Sequence, residues 1–253
     1  FRLGDRTYEA TVFDGRLASQ VELVLVDVPG LFDRPAIYGE RGEEYPDNAL
    51  RFAVLSRAAA ELAKQRAQGG RPFDVVHCND WCTALVPTYL KALEAETPAL
   101  AATRTVLTVH NVAHQGVYPK DLLPSLGLDW SAFHVGGIEF YGGLNLLKQG
   151  IVTADAVTTV SESYARAIQT AEGGEKLEGV LSALGPKLLG ITNGVDYGVW
   201  NPATDTAIAA RYDAEDTTNR ARCRGALQRE LGLALDAEVP LSEGDVEEFQ
   251  GAP

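Results

Sequence analysis

What most constrains this chain is a pattern that recurs four times. A short run of β-branched and apolar residues ends abruptly in hydrogen-bonding side chains, with helical stretches between the runs. The runs are FDVVHCND (73–80), RTVLTVHN (104–111), DAVTTVS (155–161) and KLLGITNGVD (187–196). Short apolar strands alternating with helices predict a parallel sheet, buried on both faces, in an α/β layer fold. In open sheets of that kind, ligands bind beyond the carboxyl ends of the strands. There the sequence gathers His77–Asp80, His110–Asn111, Ser161 and Thr192-Asn193-Gly194. Taken singly, turn chemistry is the simpler reading: strand-end Asn closes turns, and Asn193-Gly194 invites a tight one. Four polar strand ends on one edge favour a site.

The intervening segments fit the same layout. QVELVLVDV (20–28) reads as a further strand, and RPAIYGERGEEYPDN (34–48) as a loop well stocked with aromatic and polar side chains. Asp47 or Asn48 is placed to cap a following helix, in which Leu50, Ala53, Val54, Ala58 and Leu62 recur at helical spacing. Helices are predicted over 81–96, interrupted near Pro87, and over 144–152, 162–171 and 218–232, the last stopped by Gly232. EGGEKLEG (172–179) is glycine-rich but acidic, which suits a loop better than a phosphate cradle. ALDAEVPLSEGDVEEFQGAP (234–253) has six acidic residues and no Lys or Arg, and reads as a solvated tail or linker.

Composition narrows the partners. A formal net charge of −13 repels nucleic acid and anionic membrane surfaces, so neither is an expected partner. Three cysteines among 253 residues make no disulfide framework and fit a reducing compartment. No apolar run reaches the length of a membrane span. The chain starts at Phe1 and contains no methionine, which predicts an internal fragment or a processed chain. There is neither a GxGxxG nor a P-loop to hold phosphates. His77, Cys78, Asp80 and Cys82 are possible metal ligands, but they lack a second Cys or His pair at finger spacing, so no metal is expected. Neither Cys78 nor Cys82 has an evident base beside it in sequence.

Read together, the motifs LFDRP, YPDNALRFAVLSRAA, DVVHCNDWCTALVPTYLK, TVLTVHNVAHQGVYP, GGIEFYGGLNLLKQGIVTADAVTTVSESYA and GITNGVDYGVWNPATD closely resemble the N-terminal catalytic domain of bacterial glycogen synthases and plant starch synthases. The likeness is nearly collinear over roughly residues 20–240. It implies one half of a GT-B glycosyltransferase: a Rossmann-like parallel sheet flanked by helices, facing a second such domain across a cleft. Such enzymes transfer glucose from ADP-glucose to the nonreducing end of an α-1,4-glucan (glycogen or starch) with retention, without a metal or other cofactor. The compartment is the bacterial cytoplasm, or a plastid in a plant or alga.

By position, the resemblance gives Asp80 the acidic place of the family's DW motif, beside the sugar cleft. It gives His110 contact with the transferred glucose, and Asn111 a place in the same pocket. Asn193, with Gly194, falls on the nucleotide-sugar side, and Tyr45 at an aromatic position tied to glucan or donor contact. Cys82 stands where most relatives carry His. Residues 1–240 are expected to form the N-terminal domain without its first strand and donor loop, and 241–253 an acidic tail in place of the second domain. An inactive or weakly active fragment of the synthase is the leading expectation. A non-catalytic glucan-binding remnant is the rival, and another GT-B transferase, such as a sucrose-forming one, a distant third.

Overall fold

The computed structural model describes residues 1–235 and divides into two compact units, Phe1–Asn193 and Gly194 onward. The predicted acidic tail at 241–253 lies outside the described residues. After a short antiparallel pair at Arg2–Leu3 and Arg6–Thr7, the first unit forms a longer hairpin, β1 (Thr11–Arg16) and β2 (Glu22–Asp27). The strand predicted over 20–28 is therefore present, but it pairs antiparallel with a strand the sequence did not reveal, in register Thr11↔Asp27 to Arg16↔Glu22. The tight link, with Leu17 N donating to Val21 O at 2.9 Å, dictates that direction, since only antiparallel strands can be joined so briefly.

Helix α1 (Asn48–Gln68) follows the predicted loop. Asp47 holds its N-cap position without a side-chain cap bond, because its carboxylate receives Arg34 Nη2 at 2.7 Å instead. Next come β3 (Val75–Asn79), α2 (Val86–Glu94), β4 (Arg104–Val109), α3 (Leu146–Thr153), β5 (Ala156–Thr159), α4 (Glu162–Ala167), α5 (Glu178–Ala183) and β6 (Leu188–Gly190). Pro87 sits in the first turn of α2, where its missing N–H costs nothing, so it starts the helix rather than interrupting it.

The four strands form a parallel sheet in the order β6-β5-β4-β3. Burial on both faces, expected for all of them, holds for the inner β5 and fails for the edge: Val75 on β3 is 52% exposed, whereas Cys78 on its other face is buried. Leu85, Leu90, Leu93, Leu107, Val109, Leu147, Ile151 and Val157 form the core between the sheet and α1–α3. The second unit contains α6 (Arg220–Glu230), followed by Gly232 at φ +67°, the predicted stop. No described helix is long and apolar enough to cross a membrane.

Candidate active site

Strands β3 and β4 are neighbours, so their carboxyl ends deliver Asp80 and His110 to one place. Asp80 N still donates to Thr108 O at 2.9 Å, one step beyond the end of β3. Its backbone lies at φ +56°, ψ −172°, a region glycine fills freely and other residues enter under strain. That conformation turns the carboxylate toward the neighbouring strand. Oδ1 accepts His110 N at 2.8 Å, and Oδ2 lies 3.0 Å from His110 Nδ1. A carboxylate only accepts, so Nδ1 donates to Asp80, and Nε2 has no partner among the described residues. Asp80 is therefore no helix cap: it fixes the position of the histidine.

The HNVAHQG segment then divides its work. Asn111 Oδ1 accepts Ala113 N at 3.0 Å and closes the expected turn, while its Nδ2 has no partner among the described residues. Val112 is buried in the core. Gln115, also buried, donates through Nε2 to the carbonyls of Val112 and Glu175, and its Oε1 accepts Asn145 Nδ2 at 2.6 Å. Gly116 sits at φ +62°, and a Cβ there would lie 2.4 Å from Cε3 of Trp81. The loop has to end in glycine so that the Trp81 indole can lie against it.

Asp80, Trp81, Asn111 and His114, with Tyr38 and Glu44, line a cavity of about 210 Å³. His110 is not part of that lining; it joins the cavity through its bonds to Asp80, which is. The aromatic wall is continuous: Trp81 meets Phe52 edge-on at 4.7 Å between ring centroids, and Tyr38 at 6.0 Å. Cys82 Sγ lies 3.7 Å from the Tyr38 hydroxyl. That contact, and then burial, push the Tyr38 hydroxyl up to about 12, so it stays a neutral phenol. Burial raises the Cys82 thiol too, and raises Cys78 to about 12, which leaves neither poised as a thiolate nucleophile.

The remaining candidates lie elsewhere. Tyr45 is outside the cavity lining; its hydroxyl donates to Glu40 Oε1 at 2.8 Å, and the Arg34 and Arg51 guanidiniums lie 4.8 and 5.0 Å from its ring centroid. Ser161 caps α4, its Oγ accepting Tyr164 N at 2.9 Å. Asn193 ends the first unit and Gly194 opens the second; both are exposed, and no turn forms at the pair. The turn comes later, where Asp196 O accepts Trp200 N at 2.7 Å. Of the possible metal ligands, His77 bonds Thr108 Oγ1 at 2.6 Å, Asp80 holds His110, and Cys78 is buried. Tyr38, Glu44, Trp81 and His114 are the lining residues that sequence reasoning did not name as candidates. His114 stood in view four residues after His110, while Tyr38 gave no signal apart from being an aromatic residue in a polar loop.

Residues 1–183 match the family model described as starch synthase catalytic domain. Glycogen synthase from Anaeromyxobacter dehalogenans is 47% identical over 218 residues, covering 86% of this chain and 45% of that protein. The Syntrophotalea carbinolica glycogen synthase is 39% identical over 240 residues, covering 95% and 49%. Among solved structures, the catalytic domain of starch synthase IV from Arabidopsis thaliana, bound to ADP and acarbose, matches with a TM-score of 0.74 and 32% identity, over 92% of this chain and 46% of that one. The chain thus spans about half the length of the curated relatives it matches, and its parallel sheet with flanking helices is one half of the GT-B fold. With the matched model covering most of its length, the chain belongs to the starch synthase catalytic domain family.

Proposed function

We propose that the chain forms the sugar-facing half of an enzyme that moves glucose from ADP-glucose to the nonreducing end of an α-1,4-glucan with retention. The observation that carries this reading is the Asp80–His110 pair, whose aspartate lines a cavity walled by Tyr38, Trp81, Asn111 and His114. Aromatic walls with a few convergent polar groups suit a neutral polyhydroxylated ring, whose C–H faces pack on the rings while its hydroxyls meet the polar groups. The bound ADP and acarbose of the starch synthase IV domain support a nucleotide and a saccharide as ligands.

In the transfer, the bond from the sugar C1 to the diphosphate breaks as a bond from the acceptor hydroxyl to C1 forms. Positive charge grows on the sugar ring and negative charge on the departing diphosphate. His110 Nε2 and Asn111 Nδ2, both without partners among the described residues, are the groups we assign to the sugar hydroxyls, with Asp80 fixing the histidine. Tyr38, rather than Tyr45, is the aromatic residue we place against the glucan. Asn193 and Gly194 keep their proposed place on the nucleotide-sugar side. The reading uses no metal or cofactor beyond the donor, and places the reaction in the cytoplasm.

Titration of the 253-residue chain with maltoheptaose tests it. Saturable binding that His110→Ala weakens by about tenfold is expected, and no binding by a well-folded chain would refute the reading. Labelled ADP-glucose with glycogen reports the chain's own turnover, expected at or near zero. Robust incorporation would overturn the view that the chain is one half of the catalyst.

A further inference from the structure

The cavity wall that bears Tyr38 belongs to a loop whose regular pairing is limited to a short hairpin, Gly39–Glu40 with Glu43–Glu44, and so small a hairpin is a poor platform for an aromatic contact. Two polar side chains from the first turn of α1 hold this one. Asn48 and Arg51 are almost fully buried, at 0% and 3% exposure. Arg51 Nε donates to Leu31 O at 2.7 Å, and its Nη1 donates to Ile37 O at 2.8 Å and to Asn48 Oδ1 at 2.7 Å. Asn48 Nδ2 donates to Tyr38 O at 2.7 Å, which also receives Tyr45 N at 2.9 Å. The carbonyls of two successive residues, Ile37 and Tyr38, are thus gripped from one helix turn.

This pair is expensive to bury. Arg51 forms no ion pair among the described residues, and a buried charge without an acid partner is destabilising unless its hydrogens are all met. Its neighbours are neutral oxygens and the rings of Tyr45 and Phe52, at 5.0 and 5.4 Å. Only a planar fork reaches Leu31 O and Ile37 O at once, so lysine is no substitute. Gripping a backbone in one conformation has its use where the side chain it carries must be held still.

We propose that Asn48 and Arg51 are positioning residues that lock the 31–45 loop, so that Tyr38 presents its ring to the cavity already oriented for the sugar. The proposal rests on reading that cavity as a glucan site, and its test separates the two. Maltoheptaose binding is measured for the 253-residue chain, Arg51→Lys, Tyr38→Ala and the double variant. The expected result is a loss of about tenfold for Arg51→Lys and no further loss when it is added to Tyr38→Ala. Full additivity, or undiminished binding by Arg51→Lys, would overturn it.

Trypsin cleavage after the exposed Arg41, followed by mass spectrometry, reads the loop without any ligand. It is expected to quicken about tenfold in Arg51→Lys and in Asn48→Ala while far-UV circular dichroism is kept. Should Arg51→Lys fail to fold, Asn48→Ala takes its place in both measurements. An unchanged cleavage rate sinks the clamp. Quickened cleavage in a chain that binds no glucan at all upholds the clamp, and it is then the sugar-site reading that has failed.

Discussion

Replacing Gly116 by alanine isolates one structural demand of the site. The residue sits at φ +62°, where an L side chain adds about 1 kcal/mol of backbone strain or more. The new methyl would fall 2.4 Å from Trp81 Cε3 and 3.0 Å from Cδ2. The indole has nowhere cheap to go, because it is buried against Phe52 and Tyr38. Overpacking of that kind costs about 1–3 kcal/mol, so Gly116→Ala is expected to lose about 3 kcal/mol in all. Gly30→Ala is the control: its φ is +80°, but a Cβ there meets nothing within 4 Å, so only the backbone strain applies. In urea unfolding followed by circular dichroism, Gly116→Ala should fall about 2 kcal/mol below Gly30→Ala. On heating, that difference is about 4–8 °C in Tm for a unit of this size. Equal losses in the two variants would refute the claim that the glycine exists to admit Trp81.

Two further outcomes follow from hydrogen-bonded polar side chains. Gln115→Ala strands Asn145 Nδ2 and the carbonyls of Val112 and Glu175, and is expected to cost about 2–3 kcal/mol in the same assay; a loss under about 1 kcal/mol would show that water replaces the amide readily. For Asp155, burial works against the carboxylate, but hydrogen bonds from Thr105 N at 2.8 Å and Oγ1 at 2.9 Å outweigh it and hold its pKa below the ordinary value. A group lowered in this way stabilises the fold above the unfolded carboxylate range and loses its contribution as pH falls through the folded value. The Tm gap between the wild-type chain and Asp155→Asn should therefore be steady above the ordinary carboxylate range and close as the pH falls below it; a gap that widens on acidification would reverse the assignment.

The parallel strands were legible because β-branched runs have few other uses, and the shared edge of Asp80 and His110 followed from the topology of open sheets. The bond between the two was not, since it depends on β3 lying next to β4 and on a strained residue turning its carboxylate sideways. Which tyrosine lines the cavity was not legible either, for a related reason. Tyr38 and Tyr45 occupy the same kind of sequence, and only the path of the loop, set by Arg51 and Asn48, decides that Tyr38 lines the cavity and Tyr45 packs under guanidiniums. Ser161 looked like a site residue from its strand end, yet helix-capping chemistry claimed it. The hairpin partner of β2 escaped notice because TVFDGR, interrupted by Asp14 and Gly15, has no clean alternation of apolar residues.

The sheet order has a consequence for how the molecule comes into being. Its strands lie side by side in the sequence in which they are synthesised, and the Asp80–His110 pair spans only 30 residues. Closing that short loop needs nothing from β5 or β6, and local contacts form ahead of distant ones. During translation, the Asp80–His110 pair can thus be set before the later strands leave the ribosome, and the rest of the sheet grows outward from an edge whose hydrogen bonds are already in place.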